Sequence, residues 1–177
     1  SSADNVDIIP ATPDLAGLEV ELVGVEDRQF LLKTRINNIE DYDFIFLDSP
    51  PSLGQLSINA LVAADSVIIP IQTEFYALEG VSQLMESYKL IVDNLNPNLA
   101  IEGIVLSMFD GRNNLSIEVV EEVKKYFKDK VFKSIIPRNI KVAEAPSFGV
   151  SVIDHDPNSK GAISYKKLAK EIIKQNE

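Results

Sequence analysis

The chain has 177 residues, 45% apolar and 25% charged, the size and balance of one ordinary globular domain that needs neither disulfides nor a structural metal. With no cysteine, one histidine and no run near the roughly 20 apolar residues of a membrane span, it excludes thiol chemistry, cysteine-ligated zinc, iron–sulfur clusters and a bilayer crossing. The net charge of −10 is uneven, with 4 basic and 18 acidic side chains in residues 1–110 but 13 and 9 in residues 111–177, so the basic end either meets a polyanion locally or forms solvated helix faces.

Strand and helix signals alternate along the chain. Residues 6–10 (Val-Asp-Ile-Ile-Pro), 44–47 (Phe-Ile-Phe-Leu) and 67–69 (Val-Ile-Ile) read as short strands. Leu78, Val81, Leu84, Met85, Tyr88, Ile91, Val92 and Leu95 then recur at helical spacing until Asn96-Pro97 stops them. A strand at 104–106 precedes a helix marked by Ile117, Val120, Val123 and Phe127, with Ser116 as its expected N-cap. Residues 131–136 read as a fifth strand. Ala162, Tyr165, Leu168, Ala169, Ile172 and Ile173 form one face of a closing helix whose other face is rich in lysine. Most strands are unbroken apolar runs, which suit parallel strands covered on both faces. The predicted fold is therefore α/β, one domain over residues 1–177, with a mostly parallel sheet and flanking helices. In such sheets ligands bind beyond the carboxyl ends of the strands.

Four strand ends carry candidate chemistry. Asp48 follows the 44–47 run and precedes Ser49-Pro50-Pro51, where prolines hold back a helix; it either holds a magnesium ion that bridges nucleotide phosphates or caps the next turn. Glu74 and Glu79 follow the 67–69 run; either could act as a general base, but acids in a first helical turn read as partners of the helix dipole, and that reading is preferred for both. Ser107-Met108-Phe109-Asp110-Gly111-Arg112 offers an Asp that can accept an exocyclic amine of a base and an Arg that can meet phosphate, although Asp-Gly is also a common turn. Arg138 and Lys141 project from a loop bounded by Pro137 and Pro146. His155 lies among Asp154, Asp156 and Pro157, reads as a surface-loop residue and receives no catalytic role. Neither GxxxxGK[ST] nor GxGxxG occurs, so the Asp48 strand lacks the phosphate-cradling loop it would serve and the chain is expected to be incomplete at its beginning.

Asp43-Phe44-Ile45-Phe46-Leu47-Asp48-Ser49-Pro50-Pro51-Ser52-Leu53-Gly54, Ile58-Asn59-Ala60-Leu61, Ala63-Ala64-Asp65-Ser66-Val67, Tyr76-Ala77-Leu78-Glu79-Gly80 and Glu144-Ala145-Pro146-Ser147-Phe148-Gly149, in that order, resemble the ParA/Soj partition ATPases, a deviant Walker A P-loop family. The resemblance implies a P-loop NTPase-like, three-layer α/β/α fold missing its first strands, with residues 1–177 as the C-terminal portion of the ATPase domain. It implies ATP and Mg2+ as cofactors and a homodimer that forms on ATP and binds DNA without sequence preference. It also implies a ParB-type centromere-binding partner that stimulates hydrolysis, in a cytoplasmic, nucleoid-associated setting. By the same likeness Asp48 matches the Walker B aspartate, catalytic and holding Mg2+ through water. Met108 and Asp110 match the segment beside the adenine, and Pro137, Arg138 and Asn139 the loop that closes over it. Arg112 and Lys141 match basic residues used on DNA; Lys141 stands where Arg is more frequent, which keeps the charge and loses the fork.

Without the P-loop, this chain alone is expected not to hydrolyse ATP and to associate through exposed sheet edges. Two other readings compete. One is a MinD-like membrane-associated division-site ATPase, supported by Lys166, Lys167, Lys170 and Lys174 opposite Leu168, Ile172 and Ile173. The other is a non-enzymatic binding module that kept the fold and lost its nucleotide site.

Overall fold

The computed structural model describes residues 5–50, 52–75 and 77–177 and, within these, all side chains but those of residues 19, 78 and 79. The chain divides into two compact units, one reaching to Asp65 and including Leu90–Leu99, the other made of Ser66–Lys89 and Ala100–Glu177.

In the first unit a 3-10 turn, Pro13–Gly17, leads into α1 (Leu18–Glu21), followed by α2 (Leu31–Ile36) and α3 (Gln55–Ala63). Buried Asn59 fixes α3 to the segment before it. Its Oδ1 accepts from the Leu32 amide at 3.1 Å, and its Nδ2 donates to the carbonyls of Arg28 and Gln55 at 2.9 and 3.0 Å. Buried Asn96 closes the other end of α3, donating from Nδ2 to the carbonyls of Leu61 and Ala64 at 3.0 and 2.8 Å, which a helix C-terminus leaves unpaired. The expected strands at 6–10 and 44–47 do not form. Ile8, Ile9, Phe44, Ile45 and Phe46 are exposed, and these apolar runs have no neighbouring strand among the described residues with which to build a ladder.

In the second unit β1 (Ser66–Gln72) and β2 (Ala100–Ser107), separated in sequence by α4 (Ala77–Asn94, of which residues from Leu90 on count with the first unit), pair in parallel, with Ile69 opposite Ile104 and Ile71 opposite Leu106. Both strands are longer than the apolar runs read from the sequence, and α4 carries the helical stripe from Leu78 to Val92, ending just before Leu95. Strand alternation then builds three layers. Ile69, Ile71, Ile104 and Leu106 pack against Val119, Val120, Val123 and Phe127 of α5 (Asn114–Phe127). On the opposite face Val105 meets Phe132, Ile136 and Leu168, after α6 (Ile140–Glu144) and α7 (Val152–His155) have led the chain into α8 (Lys160–Asn176). Burying Ile104 and Leu106 completely contributes about 2 kcal/mol each. Leu168 and Ile172 belong to this core and Ala162 is buried, while Tyr165, Ala169 and Ile173 of the expected stripe are exposed. No helix among the described residues is long and apolar enough to cross a membrane.

Two local expectations change. The N-cap of α5 is Asn113, whose side chain accepts from the Leu115 amide, while Ser116 turns inward and is buried. Residues 131–136 run beside β2 without forming a regular strand. The Phe132 amide donates to the Ile104 carbonyl at 3.0 Å and the Ile136 amide to the Leu106 carbonyl at 2.9 Å, so four residues advance where β2 advances two. The surplus is a bulge, which interrupts a ladder and leaves isolated bridges at Val131 and Pro137. Gly103 is required under this segment, because a Cβ there would come within 2.3 Å of the Phe132 ring.

Candidate functional site

The carboxyl ends of β1 and β2 open onto a cavity of about 440 Å3, lined by Thr73, Glu74, Met108, Asp110, Ser116 and Arg138 with their neighbours. The chain leaves β2 through Met108 at φ +56°, a left-handed turn for which an unbranched side chain is better suited than a β-branched one. Phe109 then joins two loops: its amide donates to the Ile136 carbonyl at 3.2 Å, and its carbonyl accepts from the Arg138 amide at 2.9 Å. Residues 108–110 and 137–138 are thereby held side by side. Beneath them Thr73 and Ser116, both buried, lock the end of β1 to the first turn of α5. Their hydroxyls lie 3.1 Å apart, and Ser116 Oγ donates to the Thr73 carbonyl at 3.0 Å.

The charges around the cavity are paired. Arg138 Nη2 donates to Glu74 Oε1 at 2.6 Å, both side chains being half exposed. Arg112 grips Asp110 with Nε on Oδ1 at 2.9 Å and Nη2 on Oδ2 at 2.8 Å, and its backbone amide adds a third bond at 3.1 Å. These hydrogen bonds lower the Asp110 pKa from 3.8 to about 2 and raise that of Arg112. Lys141 Nζ donates to Glu144 Oε2 at 2.8 Å, which raises the Lys141 pKa and lowers that of Glu144. His155 Nε2 lies 3.4 Å from the same carboxylate oxygen, with its ring stacked on Phe148 at 4.8 Å.

Met108, Asp110, Pro137 and Arg138 are thus brought to one sheet end. Asn139 comes directly after, but its side chain caps α6, accepting from the amides of Lys141 and Val142 at 3.0 and 3.3 Å. Arg112 lies on the rim, its side chain 91% exposed; Lys141 sits on α6. Asp48 belongs to the first unit and is exposed. Glu74 precedes α4 instead of entering its first turn, and its carboxylate turns to Arg138. The signal that marks it is its place just beyond a strand tip, which outweighs the nearby helix start. His155 ends α7 and is largely covered, not an open loop residue. Among the described residues no three His, Asp or Glu side chains gather as a metal cage. A lone exposed carboxylate such as Asp48 fits an ion that keeps its water shell, as Mg2+ does.

Parallel strands between helical layers, with a polar cavity beyond the strand ends, make an α/β fold of the kind that binds ligands at its strand ends. The "AAA domain" family model matches residues 1–101. The sporulation initiation inhibitor protein Soj of Bacillus subtilis is 53% identical over 173 residues, which cover 97% of this chain and 68% of that protein. A putative plasmid partition protein from Borrelia burgdorferi B31, solved bound to AMPPNP, superposes with a TM-score of 0.81 at 25% identity, covering 99% of this chain and 67% of that one. Cobyrinic acid a,c-diamide synthase from Mycobacterium smegmatis, solved with ADP and magnesium, gives a TM-score of 0.76 at 32% identity, covering 93% and 60%. The chain belongs to the ParA/Soj family of partition ATPases. It spans between 60% and 68% of the length of its first curated relatives.

Proposed function

We propose that residues 1–177 are the C-terminal portion of the ATPase domain of a chromosome or plasmid partition protein. The whole protein dimerises on ATP, binds DNA without sequence preference and is stimulated by a ParB-type partner, in the cytoplasm and on the nucleoid. The observation that supports this best is the joining of residues 108–110 to 137–138 over the cavity, which presents an apolar side chain, an acceptor and a guanidinium to one space. Similar proteins solved with AMPPNP, or with ADP and magnesium, support a nucleotide there.

Mg-ATP, when bound, supplies the scissile phosphoanhydride and the charge of the metal. Asp48 orients the water shell of the ion. Met108, which lines the cavity, would pack against the base. Asp110, kept ionised by Arg112, is an acceptor only, and the one lone pair left on its Oδ2 could take an amine hydrogen. Pro137, Arg138 and Asn139 would border the base, with Glu74 holding the Arg138 guanidinium beside the cavity. Arg112 and Lys141 face DNA phosphates, which makes DNA binding weaken as salt rises.

Turnover of Mg-ATP by the whole gene product tests this reading. Asp48→Asn is expected to abolish turnover, and the isolated 177-residue chain is expected to give none above blank. Undiminished turnover in the Asp48→Asn protein removes the Walker B assignment. Retention of duplex DNA by the whole protein is expected only with ATP, and equal retention without nucleotide removes the ATP-dependent step.

A further inference from the structure

The bulge at residues 132–136 poses a question of backbone satisfaction. In a regular parallel pairing the Ser134 amide would reach β2, but the Leu106 carbonyl is already taken by Ile136. The Lys133 and Ser134 amides are received instead by one side chain of α8, 38 and 37 residues away in sequence. Glu171 Oε2 accepts from Lys133 at 2.8 Å, and Oε1 accepts from Ser134 at 2.9 Å and from the Ser134 hydroxyl at 2.5 Å. Bulges next to functional sites re-aim the chain beyond them, and immediately beyond this one lie the bridge at Pro137 and the Arg138 amide bond to Phe109.

We infer that Glu171 is a positioning residue for the nucleotide: its carboxylate stands in for a missing strand edge, fixes the bulge, and so sets where residues 137–139 sit over the cavity. The inference rests on reading that cavity as the base site. Several features favour this assignment over simple stapling of α8. Phe132, Ile136 and Leu168 already pack α8 to the sheet, so the helix does not need the carboxylate to stay in place. Both oxygens of Glu171 are committed to the bulge, with three donors shared between them. A glutamine could not replace it, because its amide nitrogen would oppose one of the two backbone donors.

The test uses the whole gene product and two readouts. Glu171→Ala is expected to raise KM for ATP about tenfold while kcat at saturating ATP is retained, the pattern of a displaced binding loop. Ser134→Ala, which removes only the hydroxyl bond, is expected to give a smaller rise in the same direction and serves if Glu171→Ala does not fold. A lowered kcat or active fraction with KM unchanged would overturn the inference in favour of a purely structural role. Independently, amide hydrogen exchange on the native protein should show Lys133 and Ser134 protected, and Glu171→Ala or Ser134→Ala should speed exchange at them and at Arg138. Fast exchange at Lys133 and Ser134 in the unaltered protein overturns the clamp. If the unaltered protein binds no ATP, the base-site reading fails, while the exchange data still judge the clamp.

Discussion

Removing the Ser116 hydroxyl tests how the floor of the cavity is held. Ser116→Ala leaves two oxygens of Thr73 without their partner, the carbonyl that accepts at 3.0 Å and the hydroxyl at 3.1 Å, in a place where Thr73 is 1% and Ser116 2% exposed. Each orphaned buried oxygen costs at least about 1 kcal/mol, so Ser116→Ala should cost about 2 kcal/mol. Thr73→Val removes only the hydroxyl, and Ser116 keeps the carbonyl as its acceptor, so that change should cost about 1 kcal/mol. The double substitution removes both hydroxyls together and leaves one orphaned carbonyl. It should cost about 1.5 kcal/mol, roughly 1.5 less than the two singles added. Thermal unfolding followed by far-UV circular dichroism reads these differences. At this chain length about 2–4 °C corresponds to 1 kcal/mol, so Ser116→Ala should melt about 6 °C lower. An additive double, or a Ser116→Ala loss below about 0.5 kcal/mol, would refute a buried, mutually satisfied pair.

Three further outcomes are expected from the same structure. Gly161→Ala should lower the melting temperature by a few degrees despite alanine's better helix propensity, because its Cβ would come within 2.3 Å of Val142 Cγ2; Gly80→Ala in α4, with nothing within 4 Å, should raise it instead. Asp110 has a folded pKa depressed below its ordinary 3.8, so its pairing stabilises the protein above that value and the contribution is lost as pH falls towards about 2. Carboxyl NMR titration should find it low, and Arg112→Ala should return it towards 3.8. Asn96→Asp should cost about 3 kcal/mol in urea unfolding at neutral pH by turning a carboxylate towards the Leu61 and Ala64 carbonyls, and should cost less in acid where the group regains a donor.

Reading the sequence located what depends on neighbours in the chain. The runs inside β1 and β2, the stripe of α4 and the helix α8 are set by periodicity and flanking punctuation, and they stand where the residues place them, although Tyr165, Ala169 and Ile173 of the expected α8 face stay exposed. Met108, Asp110, Pro137 and Arg138 were legible as loop residues at strand ends, although only the Phe109 bridge shows why they meet. The misses have one cause: they depend on partners distant in sequence. Ser116 scores as a helix cap until Thr73, 43 residues away, claims its hydroxyl. Residues 131–136 score as a strand until the bulge and Glu171 are seen together. Residues 44–47 have strand composition, which says nothing of whether a neighbour is there to pair.

The paired cations at the strand ends change how a polyanion would be received. Arg112, Arg138 and Lys141 each have a carboxylate within 2.8 Å before any ligand arrives. Phosphate binding at these residues is therefore an ion exchange, in which one anion displaces another and the freed carboxylate draws a cation from solution. That uptake opposes the release of counterions from the nucleic acid. The salt slope of binding would then understate the number of phosphates touched, and removing Asp110 or Glu144 would steepen it without adding a positive charge.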